Sequence, residues 1–73
     1  MAHPAKARRF AEESLAFHSR KVGNRDEEFE TKLSDLLADL MHLADAKGVE
    51  FDEVVAHARR NFQGERAEHG RDA

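Results

Sequence analysis

The chain has no cysteine, no tryptophan and no tyrosine, and only one proline and four glycines in 73 residues. Without cysteine no disulfide can close a loop or cross-link the termini, and small size has to be stabilised in some other way. Without Trp or Tyr, aromatic chemistry rests on five Phe. No apolar run approaches the roughly 20 residues that a membrane-crossing helix needs. The opening MAHPAKARRF also lacks the apolar stretch of an export signal. Together these absences lead to the expectation of a soluble cytoplasmic protein with no membrane role. Also missing are a Gly-rich phosphate loop, a Ser/His/Asp nucleophile arrangement and an HExxH pair, so catalysis is not expected.

What is present is charge, unevenly spread. Residues 1–25 carry six Lys/Arg against two Glu, residues 26–53 carry ten Asp/Glu against two Lys, and residues 54–73 carry four Arg against three acids. An acidic middle between basic flanks can recruit a polyanion to the basic part, or it can pair one segment with another.

Glycine and proline divide the chain into three helix-length pieces. The first, 4–22, opens on Pro4, where a helix tolerates proline, and stops before Gly23. Ala7, Phe10, Ala11, Leu15, Phe17 and Val22 form its apolar arc, which Ser14 and His18 interrupt. A histidine in such a place is expected to be a hydrogen-bonded residue at the edge of the packing. The second piece, 25–47, has Asn24 as its expected N-cap and Glu27 in capping-box position. Phe29, Leu33, Leu36, Leu37, Leu40, Met41, Leu43 and Ala44 cover about 160° of its wheel, more than one neighbouring helix can shelter. The third, 51–63, follows Gly48 with Val49 and Val54 placed as a hydrophobic staple around Glu50. Residues 64–73, GERAEHGRDA, have no face to bury and are expected to form a disordered tail after a helical domain of residues 1–63.

The fold expected is all-α, three antiparallel helices joined by short connections. Because the central helix carries apolar surface on two sides, two chains are expected to share it in a dimeric bundle. The interface expected is Leu33, Leu36, Leu37, Leu40, Met41 and Leu43, with Phe10, Phe17, Phe51, Val54 and Phe62 closing the bundle. The function that follows is association, of the chain with itself or with another protein.

Two further sets of residues suggest other chemistry. Around Asp35 on the wheel lie Glu28 at about 20°, Asp39 at about 40° and His42 at about −20°. Oxygen ligands with one imidazole suit Mg²⁺ or Mn²⁺, or Zn²⁺ or Fe²⁺ if the imidazole binds directly. If the leucines are buried, however, this strip faces water as the polar side of an amphipathic helix. Lys6, Arg8, Arg9, Arg20, Lys21 and Arg25 place six cations near the ends of the first helix, a basic surface of the kind phosphate binding requires. That would make the chain a nucleic-acid-binding accessory protein.

The stretch LADLMHLADAKGVEFDEVV resembles the closing helix pair of the MazG-type all-α nucleoside triphosphate pyrophosphohydrolases. In both, an apolar helix carrying a "LAD" phrase is followed by a Gly stop and an acidic helix start. The resemblance spans residues 33–55 and implies an oligomeric helical bundle that binds Mg²⁺ and a nucleotide. On it, Asp35 matches the final Asp of the family's ExxD element, but Lys32 stands where the Glu belongs. Glu12 and Glu13 match an acid pair of the preceding helix, and Ala16 stands where a third Glu would follow. With that ligand set mostly replaced, the resemblance implies the scaffold without the hydrolytic activity.

Overall fold

The computed structural model describes residues 3–69. They form three helices, α1 (Pro4–Val22), α2 (Phe29–Ala46) and α3 (Phe51–His69), and no strand occurs among them.

Local chemistry accounts for the ends of α1. Pro4 supplies a pre-set φ in the first turn, and the His3 ring nitrogen Nδ1 accepts from the Ala5 N–H at 3.1 Å, satisfying one of the donors a helix start leaves open. The helix stops at Gly23, whose φ of 81° lies in the left-handed region that only glycine enters cheaply. There the Gly23 and Asn24 amides fold back onto the Ser19 carbonyl at 2.8 and 3.2 Å. Gly48, with φ 71°, ends α2 in a Schellman arrangement: the Val49 amide reaches the Ala44 carbonyl at 2.9 Å and the Gly48 amide reaches the Asp45 carbonyl at 3.1 Å.

Two boundaries differ from the sequence reading. The second helix begins at Phe29, not Arg25, because Asn24 does not cap it. The Asn24 side-chain amide donates to Asp35 Oδ2 at 2.8 Å, and residues 24–27 form a turn closed by the Glu27 amide on the Asn24 carbonyl. Glu28 becomes the N-cap and makes no side-chain capping bond. The third helix runs through Gly64 to His69, where a tail was expected from residue 64. Gly64 does not adopt positive φ, so it costs helix stability without ending the helix. The remainder of that expected tail lies outside the described residues.

The three helices make an open layer of 35 × 31 × 16 Å, hardly thicker than one helix with its side chains. Its radius of gyration is 13.7 Å, against about 11 Å for a compact chain of this length. Among the described residues only Pro4 and Ser19 are buried, and no large apolar side chain is. Leu15, Leu36, Phe51 and Val55 are half-buried and make up what core there is. Open recesses remain between the helices. One, of about 410 Å³, lies between Pro4, Ala7 and Ala11 of α1 and Phe62 and Arg66 of α3.

Candidate functional site

The side of α2 that meets α1 is polar. His18, half-buried on α1, has its Nε2 2.6 Å from Asp39 Oδ2; an ionised carboxylate only accepts, so the imidazole N–H donates. Asp35, one turn earlier on α2, accepts from Asn24. Next to His18 on α1, Ser19 is 2% exposed and its hydroxyl has no hydrogen-bond partner. His18 Nδ1 and Asn24 Oδ1 are likewise shielded and unpaired. A small polar seam therefore joins the C-terminal part of α1 to the middle of α2. His18 is hydrogen-bonded at the edge of the packing, as its place in the apolar arc suggested.

Asp35 and Asp39 are both exposed, Asp39 at 55%, as the polar side of an amphipathic helix is expected to be, and each still reaches α1 or its turn through one hydrogen bond. The leucine arc of α2 is left open within one chain. Leu33, Leu37, Leu40, Met41 and Leu43 are 38, 42, 40, 51 and 55% exposed, and Phe29 at the head of the helix is 61% exposed. Leu36, at the edge of the arc nearest α1, is half-buried. The residues expected to close the bundle are also open within one chain: Phe10, Phe17, Val54 and Phe62 are all exposed, and only Phe51 is half-covered.

The four residues of the suggested metal strip have separate surroundings. Glu28 falls before the helix starts, Asp39 is held by His18, Asp35 is held by Asn24, and His42 is exposed. Among the described residues, no group of three or more His, Cys, Asp or Glu side chains is placed to hold a metal ion. The six cations of the basic set are all exposed but do not form one patch. Arg8 borders the recess between α1 and α3, and Arg25 sits in the α1–α2 turn, where its carbonyl accepts from Lys32 Nζ at 3.5 Å. The other four, Lys6, Arg9, Arg20 and Lys21, follow the outer side of α1.

His18 and Asn24 were not singled out as partners of the acidic strip. The available signal was a histidine inside the apolar arc of one helix, opposite two carboxylates at the margin of the arc on the next. No helix of the described residues is long and apolar enough to cross a membrane. Comparison of the chain with family models, with curated proteins and with solved structures finds no match.

Proposed function

We propose that the protein acts by association, as a homodimer in which the apolar arc of α2 from each chain packs against the other in an antiparallel helical bundle. The observation that carries this reading is that, among the described residues, no large apolar side chain is buried. Burial of apolar surface is the dominant driving force in folding, and a polar seam with three unpaired atoms does not replace it.

The surface area points the same way. One chain exposes 6081 Å², whereas a compact monomer of 8.3 kDa exposes about 4,600 Å². The excess, about 1,500 Å², is about twice what one partner contributes to an interface of standard size. Leu33, Leu36, Leu37, Leu40, Met41 and Leu43 span about 15 Å of helix, and no charged side chain interrupts the middle of their arc. A two-fold contact brings the same patch against itself, and an uncharged patch meets its own copy without repulsion. The cytoplasm is the compartment proposed, since a cysteine-free association module needs no oxidising environment.

Sedimentation equilibrium tests this reading. A dimer at micromolar concentration, converted to a monomer of reduced helicity by Leu40→Asp, is the expected result; a well-folded monomer of the unaltered chain would exclude it.

A further inference from the structure

The outer side of α1 carries a second exposed feature, of different chemistry. Phe10 and Phe17 are 52 and 56% exposed and lie two turns apart on one strip of the helix. Cations stand over both rings: Arg9 is 5.6 Å from the Phe10 centroid, and Arg20 and Lys21 are 5.8 and 5.7 Å from that of Phe17. Lys6, one turn before Phe10, completes a line of about 22 Å in which four cations face one acid, Glu13. The strip is nearly symmetric, with two cations outside each ring and the small polar Ser14 between the rings.

We infer that this strip is a docking site for a short single strand of nucleic acid, with Phe10 and Phe17 each stacking a base and Lys6, Arg9, Arg20 and Lys21 contacting the phosphates. Three physical arguments select that occupant. Charge complementarity calls for a polyanion, and a second copy of the same strip would repel this one. The sequence pattern assigns Phe10 and Phe17 to the packed side of α1, yet both stand outside it on the basic helix, where an aromatic face next to a guanidinium suits a planar base. A lipid surface needs a continuous apolar arc along a helix, and here Ser14 and Glu13 separate the two rings. Duplex is disfavoured, because paired bases offer no free face to stack. The contact is sequence-tolerant, since stacking and phosphate pairing read no base edge.

Fluorescence anisotropy with labelled oligothymidylate and oligouridylate of about a dozen nucleotides, enough to span the strip, is the test. Binding is expected at low salt, with a slope of log affinity against log salt of about −3, as four phosphate contacts to a single strand require. Phe10→Ala and Phe17→Ala should each weaken it about tenfold while leaving the circular dichroism spectrum unchanged, because both rings are exposed. Phe62→Ala, which removes an exposed ring under Arg66 on α3, should leave affinity as it was. The inference is overturned by any of three results: no binding at low salt, binding that Phe10→Ala and Phe17→Ala do not weaken, or binding to phosphatidylserine vesicles without binding to either oligonucleotide.

Discussion

Along the margin of α2 that meets α1, Asp35 and Asp39 are hydrogen-bonded to Asn24 and His18; farther round the same helix, Leu33, Leu37, Leu40 and Met41 stand 38–51% exposed. Asp39 is itself 55% exposed, so the leucines are covered hardly more than the carboxylates, where a self-sufficient bundle would bury them. Their actual placement shows that intramolecular packing here sets the register of α1 on α2 through directional hydrogen bonds, and leaves most of the non-directional apolar stabilisation unrealised. Hydrogen bonds of this kind contribute about 1 kcal/mol each, whereas covering a leucine contributes about 1.5 to 3 kcal/mol. In the dimer proposed above, leucine burial, the stronger of the two effects, is what the second copy would supply.

The contrast can be broken most severely at its apolar end. Leu40→Asp should cost about 3 kcal/mol or more per chain in the assembled state, raising the dissociation constant at least a hundredfold, as sedimentation at graded concentrations would show. Asp39→Ala acts on the other side of the helix and should be milder. It strips the half-buried His18 of its acceptor, and with Asp39 itself 55% exposed the loss is about 1 kcal/mol. Asp39→Asn, which keeps an acceptor oxygen, should cost less than Asp39→Ala in a urea titration and leave the oligomeric state unchanged. A carboxylate change that dissociated the protein as fully as the leucine change would erase the distinction between the two sides.

Away from both regions, Gly64→Ala provides a control. The position is helical and an added Cβ would meet nothing within 4 Å, so the substitution should stabilise α3 by a little under 1 kcal/mol and raise helicity measured by circular dichroism. Gly48→Ala, at a φ of 71°, should go the other way. Smallest of all, Ser19→Ala removes a buried hydroxyl that has no partner and places a better helix former in α1. A gain of about 0.5 kcal/mol in thermal unfolding is expected. A loss there would mean that the hydroxyl is satisfied in solution and that the seam is better built than its hydrogen bonds imply.

Much of the fold was legible because it is written locally. Pro4, Gly23 and Gly48 act within a turn of themselves, and the ends of α1, the stop of α2 and the start of α3 fall where these residues put them. The start of α2 was not legible from its neighbours. Asn24 has the right side chain for a cap, yet its Oδ1, the atom that would accept a helix N–H, has no partner, while its Nδ2 donates to Asp35, 11 positions away. Gly64 departs from expectation for a related reason: glycine ends a helix by taking positive φ, and its identity alone does not say whether it does so. Of the candidate sites, the apolar arc could be named residue by residue, but the polar seam could not, since its members come from two helices and an intervening turn.

Helical periodicity places every side chain of α2 about that helix's own axis, and the width of the leucine arc and the grouping of the carboxylates follow from it without any knowledge of the fold. It carries no information about how the axis is rotated against α1. That rotation is marked by contacts between residues distant in the chain, the pairing of His18 with Asp39 and of Asn24 with Asp35, and with it one edge of the acidic strip reaches α1 while the leucines and the α1 phenylalanines stay uncovered within one chain.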